Sequence, residues 1–118
     1  MQVETSYPAI IGRVLENLRK NIGLDQAELA QRLDLTQSAW SRIERGQSGL
    51  SMEQLVKVSE IFNTKPHKII NYADDAREQL LNDGVTVHAN ILSSSNKLIA
   101  TLSLAALGAI VLALLAKK

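Results

Sequence analysis

Residues 98–116 form a run of nineteen residues without a charged side chain, in a chain of 118 residues. Lys97 precedes the run, and Lys117 and Lys118 follow it. As an α-helix the run would be about 28 Å long, close to the ~30 Å hydrocarbon core of a bilayer. The sequence therefore predicts a C-terminal transmembrane helix in the lipid bilayer, with the N-terminal part at the cytoplasmic face of the inner membrane.

Small side chains recur every four residues along this run and predict that two such helices pack together. They are Thr101, Ala105, Ala109 and Ala113. One observation opposes the membrane hypothesis, because two terminal lysines would then lie outside the cell, against the positive-inside tendency. The alternative is a cytoplasmic protein in which the run is an oligomerisation helix.

The composition excludes several classes of function. Thirteen basic and twelve acidic residues give a net charge of +1, so phosphate binding must come from a local patch rather than from net charge. The absence of cysteine excludes a thiolate zinc site, and the distant His67 and His88 predict no metal site. No catalytic arrangement or phosphate-binding glycine loop is recognisable, so we expect neither an enzyme nor a cofactor.

The first eighty residues show apolar side chains at helical spacing in five short segments. Proline stands at the start of the first and fifth segments, and aspartate, threonine or serine starts the three between them. The sequence therefore predicts an all-α chain. It has a five-helix domain over 8–83, a linker over 84–97 and the hydrophobic helix over 98–116.

Residues 85–91, VTVHANI, alternate apolar and polar side chains with the period of a β-strand. No other strand is predicted in the chain, and an isolated strand is not stable. We therefore expect an extended connector, with pairing to the same segment of a second subunit as the alternative.

The stretch 25–46, DQAELAQRLDLTQSAWSRIERG, predicts two helices joined by a turn at Asp34 and Leu35. This is the spacing of a helix-turn-helix, whose second helix lies in the major groove of DNA. Trp40 has the inward phase of that helix and is expected in the core. The outward positions carry side chains that can read bases and phosphates, namely Gln37, Ser38, Ser41, Arg42 and Arg45.

Residues 10–70 resemble the Cro/phage-repressor (XRE) family of helix-turn-helix domains. The motifs QAELAQRL and TQSAWSRIERG carry the resemblance, which covers about half of the chain. It implies a repressor-like fold and a bacterial or phage transcription regulator. The implied partners are a double-stranded DNA operator and further copies of the same chain, as a homodimer or higher oligomer.

The resemblance also implies roles for individual side chains. The implied base contacts are Gln37, Ser38, Ser41 and Arg42. The implied phosphate contacts are Gln26, which would also brace Gln37, together with Arg13, Lys20, Arg45, Gln47 and Ser48. Arg13 and Lys20 are expected to be the free cations of the first helix, and Arg19 and Glu44 match a structural ion pair that this family often buries.

Two half-sites one helical turn apart, roughly 34 Å, require a two-fold dimer. The segment 66–81 carries apolar side chains beyond what a five-helix core needs, and we expect it to contribute to the dimer interface. They are Ile69, Ala73, Ala76 and Leu80.

A competing hypothesis is a membrane-anchored scaffold, similar to RodZ-like proteins, whose helix-turn-helix binds protein. The DNA-facing residues need not be retained in such a scaffold. Since TQSAWSRIERG retains them, the sequence favours DNA binding.

Overall fold

The computed structural model describes residues 2–92 and 99–117. Within these ranges six helices surround a hydrophobic core, and three short strands form one sheet. In chain order the elements are β1 (Gln2–Ser6), α1 (Tyr7–Asn21), α2 (Gln26–Arg32), α3 (Gln37–Glu44), α4 (Met52–Ile61), α5 (Pro66–Asn82), β2 (Thr86–His88), β3 (Ile99–Thr101) and α6 (Leu104–Ala116).

Helices α2, α3 and α4 begin at the N-caps that the sequence marks. Asp25, Thr36 and Ser51 each accept a hydrogen bond from the backbone N–H three residues further on. Gly23 and Gly46 follow α1 and α3 with φ angles of 75° and 74°, a left-handed conformation that glycine adopts without strain. The five helices of the predicted N-terminal domain are therefore present.

The three strands correct the prediction of an all-α chain. β1 is the central strand and pairs in parallel with β2 on one side and β3 on the other. Ser6 lies opposite His88, and Glu4 lies opposite Thr101. Part of the predicted connector over 85–91 is therefore a strand, because residues 2–6 provide the partner that the sequence analysis did not find. Residues 93–97 of the predicted linker lie outside the described residues.

The C-terminal run does not form one nineteen-residue helix. Residues 99–101 belong to β3, and α6 contains only the thirteen residues Leu104–Ala116. A helix of that length spans about 20 Å, against the ~30 Å of a hydrocarbon core. Within residues 2–92 and 99–117, no helix combines the length and the apolar composition that a membrane span requires. The structure therefore does not support the predicted transmembrane helix or the bilayer as a partner.

Helix α6 packs on α1 and α5. Leu107 and Val111 are its buried side chains. The predicted small-residue ridge does not make this contact, because Thr101 lies in β3 and the other three members are exposed, namely Ala105, Ala109 and Ala113.

The apolar side chains of α5 face the interior of the chain. Ile69, Ala73, Ala76 and Leu80 are at most 1% exposed, and α5 packs against α1, α4 and α6. The expectation that these four residues contribute to a dimer interface is therefore wrong. The sequence left them without a partner because the docking of α6 was not foreseen.

Candidate nucleic-acid interface

Helix α3 presents a polar face to solvent. Gln37, Ser38 and Arg42 are exposed, and Ser41 is half-buried. An Nη of Arg42 donates a hydrogen bond to Oγ of Ser38 at 2.9 Å. This contact orients the guanidinium along the helix and leaves its other N–H groups available to donate further hydrogen bonds. The four side chains expected to contact bases therefore lie on one helix, within two turns of each other.

A tight turn joins α2 to this helix. Asp34 has a φ of 57°, a left-handed conformation that aspartate tolerates better than most residues. The backbone N–H of Leu35 donates to the carbonyl of Ala30 at 2.9 Å. The turn fixes the direction in which α3 leaves α2.

The buried carboxylate of Glu44 joins α3 to α1 and α2. Glu44 is fully buried, and Arg19 binds it through Nε at 2.7 Å and Nη2 at 3.1 Å. Gln26 Nε2 donates to its Oε1 at 2.8 Å, and Trp40 Nε1 donates to its Oε2 at 2.6 Å. Each carboxylate oxygen thus accepts two hydrogen bonds, so this buried charge is well satisfied.

Two members of this network have contacts that sequence reasoning missed. The Gln26 amide donates a hydrogen bond to Glu44, while its expected phosphate contact and brace on Gln37 stay predictions. Trp40 is buried as expected, but its indole N–H also holds the carboxylate, a role that sequence reasoning missed. The four-residue spacing of Trp40 and Glu44 on one helix was the signal that could have revealed it.

Arg13 and Lys20, the two cations of α1 that were expected to be free, are both paired. Arg13 is 8% exposed; its guanidinium donates to the carbonyl of Glu44 and pairs with Glu16 at 2.8 Å. Lys20 pairs with the same carboxylate at 3.0 Å. Burial raises the pKa of Glu16, but the hydrogen bond from Lys20 and the neighbouring positive charges outweigh it, so that pKa lies below its usual value. The expectation of two unpaired cations on this helix is therefore corrected.

Arg45 and the loop after α3 lie beside the polar face. Arg45 and Gln47 are exposed. The backbone amides of Gln47 and Ser48, however, both donate to the carbonyl of Arg42, at 2.8 and 3.3 Å. For the amides of Gly49 and Leu50 the described part of the chain provides no acceptor. Backbone contacts to a phosphate would therefore come from these two residues.

Glycine allows α1 to contact the end of α3 directly. A Cβ added to Gly12 would lie 2.2 Å from the carbonyl oxygen of Glu44, and one added to Gly46 would lie 2.6 Å from Cα of Ala9. Sequence reasoning missed this close approach, although a glycine inside a helix usually has a packing reason. The described residues contain no cluster of histidine, aspartate and glutamate that could hold a metal ion.

Comparison with known proteins supports the geometric assignment of this region. Residues 15–69 match the helix-turn-helix family, a segment that contains α2, α3 and α4. No curated protein sequence matches the chain.

Solved structures with similar folds include two bacterial proteins. The clp gene regulator ClgR from Corynebacterium glutamicum has a TM-score of 0.56 at 23% identity, covering 59% of this chain and 91% of ClgR. The restriction-modification controller protein C.AhdI from Aeromonas hydrophila has a TM-score of 0.50 at 29% identity, covering 52% of this chain and 94% of C.AhdI. These similarities show the helix-turn-helix fold.

Proposed function

We propose, from the helix-turn-helix domain that residues 15–69 form, that this protein is a transcription regulator that binds double-stranded DNA sequence-specifically as a dimer. The observation that carries the proposal is the polar face of α3, which the buried Glu44 network holds rigidly against α1 and α2. A rigid helix with exposed donors and acceptors suits the major groove.

Within this proposal the exposed side chains have two roles. Gln37 and Arg42 pair with base edges, since an amide fits adenine and a guanidinium fits guanine. Ser38 and Ser41 lie between them on the same face. Arg45, Gln47 and Ser48 lie at the end of α3, where a DNA strand would pass, and contact phosphates.

The similarity to C.AhdI supports this function. That protein is a restriction-modification controller, and its sequence is 29% identical over about half of this chain. The helix-turn-helix domain and its structural neighbours point to a DNA-binding protein rather than an enzyme.

Base-specific and general effects of substitutions would test this proposal. With a DNA site selected from random sequences, Gln37→Ala or Arg42→Ala should weaken binding by about 1–3 kcal/mol and relax the preference at one base pair. Arg45→Ala should weaken binding to all DNA sequences alike and make the affinity depend less steeply on salt concentration. Arg77→Ala, which removes an exposed arginine of α5, is the control and should change neither the affinity for DNA nor the base preference. Unchanged affinity and preference in the two α3 variants would refute the DNA-binding function.

A dimer requires a surface that two copies share, and the exposed face of α6 is apolar. Ala109 and Leu112 are exposed on this helix, which contains no charged residue. Small side chains also let two helices approach closely. Two copies paired through α6 would place two α3 helices in one assembly.

Sedimentation of the full chain tests where the copies pair. Ala109→Glu and Leu112→Glu should convert the dimer to a monomer without unfolding it. Val56→Glu, which puts the same charge on an exposed site of α4, should leave the dimer intact. A monomer produced by Val56→Glu alone would move the interface to α4.

A further inference from the structure

A cavity of about 220 Å³ lies behind the loop between α3 and α4. Tyr7 and Ile11 of α1, Ile43 of α3, Leu55 of α4 and Ile70 of α5 contribute to its walls. Gly49 and Leu50 of the loop also line it. The cavity therefore touches the helix that would read bases and the loop that would hold phosphate.

The lining of this cavity carries no charged side chain. Tyr7 donates its hydroxyl to Asp74 at 2.7 Å. Burial, and after it this hydrogen bond, raises the pKa of Tyr7, so the ring stays neutral. An ionic ligand would lose most of its hydration here without gaining a partner of opposite charge, whereas a neutral apolar one would lose little. A dry cavity of about 150 Å³ binds benzene, so this one has room for an aromatic ring with short substituents.

The loop links this cavity to DNA. Gly49 and Leu50 line it, and their backbone N–H groups donate no hydrogen bond to any described residue. An added Cβ on Gly49 would meet no atom within 4 Å, so the protein itself packs little against this part of the loop. A molecule in the cavity would pack against it and reduce its conformational freedom, which lowers the entropy that DNA binding must remove.

We propose that this cavity binds a small, neutral, apolar molecule and that the bound molecule strengthens operator binding by restraining the loop between α3 and α4. The second half of this inference rests on the proposed DNA-binding function. The first half does not, and it is tested without DNA.

Methyl NMR spectra of the full chain, titrated with toluene and with indole, test the binding step. The methyl signals of Ile43, Leu55 and Ile70 should shift saturably with either probe, and benzoate, which adds a charge to the ring, should cause no shift. Both probes should also raise the melting temperature. Absence of saturable shifts up to the solubility limit, or equal shifts with benzoate, would overturn the proposal.

Two exposed rim positions, Ala89 and Met52, allow the cavity to be blocked without entering the core. Ala89→Trp and Met52→Trp should abolish the shifts, while Val56→Trp, at an exposed α4 site outside the cavity, should retain them. Unchanged shifts in both blocked variants would place the probes elsewhere. Shifts that appear only as a dimer is diluted would make a second copy the occupant and also overturn the proposal.

Operator affinity tests the regulatory step. Saturating toluene should tighten binding by about fivefold or more, and Ala89→Trp should remove this response. Probe binding with no change in operator affinity would overturn the regulatory half. Probe binding by a protein that binds no DNA would refute the proposed function while leaving the cavity assignment intact.

Discussion

Helices α3 and α6 are built alike but differ in the side that faces water. Each begins at a hydroxyl N-cap, Thr36 or Ser103, and each buries two hydrophobic side chains. The exposed face of α3 is polar, whereas that of α6 is apolar and includes Leu112 at 56% exposure. Only α3 also buries a charge, at Glu44.

The difference shows what an amphipathic pattern can and cannot convey. The pattern of α3 identifies both its buried side and its outer side. A helix that is apolar all round has no such signal, so its buried side is chosen by the surface that receives it. Here that surface belongs to α1 and α5. The four predictions below test whether α3 depends on polar contacts and α6 on apolar packing.

The largest expected effect is at the buried carboxylate. Glu44→Ala leaves Arg19 buried without its partner and should lower the free energy of unfolding by about 3–5 kcal/mol, measured by urea denaturation. Glu60→Ala removes an exposed carboxylate of α4 and should change it by less than about 0.5 kcal/mol. Equal effects of the two would contradict the role given to the network.

Apolar packing of α6 is tested at Leu107. This side chain is fully buried, so Leu107→Ala should lower the free energy of unfolding by about 2–4 kcal/mol. DNA affinity of the folded protein should stay unchanged. Leu81→Ala, at an exposed site of α5, is the control, and if Leu107→Ala is as neutral as this control, α6 does not dock as described.

Substitutions at two glycines test separately the contact of α1 with α3, at Gly12, and the contact of α1 with α6, at Gly108. Gly12→Ala would force a Cβ against the Glu44 carbonyl and should cost about 1–3 kcal/mol of stability. Gly108→Ala places its Cβ 3.6 Å from Cδ of Arg13, an ordinary contact. It should stabilise by about 0.5–1 kcal/mol through helix propensity. A gain of stability in Gly12→Ala or a large loss in Gly108→Ala would contradict the close contact of α1 with α3 and the looser contact of α1 with α6.

The N-caps should give the smallest effects. Thr36→Ala and Ser103→Ala each remove a hydrogen bond to a backbone amide and should cost about 1 kcal/mol. Only Thr36→Ala should also weaken DNA binding, because Gln37 and Ser38 follow it. Thermal denaturation and operator titration of both variants check this, and weaker DNA binding by Ser103→Ala would count against the separation.

The sequence allowed correct predictions wherever a structural feature depends on residues close together in the chain. The caps at Asp25 and Ser51 lie three residues from their partners, and the polar face of α3 lies within one helix. The resemblance to a known family additionally implied the pair of Arg19 and Glu44, which the structure contains at 2.7 Å.

The remaining features depend on contacts between distant segments. Strand β1 could not be recognised, because five residues of mixed polarity become a strand only beside residues from the other end of the chain. Arg13 is not free because its guanidinium binds the Glu44 carbonyl at the end of α3 and pairs with Glu16. The docking of α6 likewise has no periodic signal in the sequence.

The central position of β1 has a consequence for how the chain acquires its structure. Glu4 and Thr101 are paired in one sheet, so β1 can complete its pairing only after residues 99–101 have been synthesised. Contacts among α1, α2 and α3 close much shorter loops and can form earlier. We therefore expect the helix-turn-helix to form its first contacts during translation, before the sheet and α6 complete the fold.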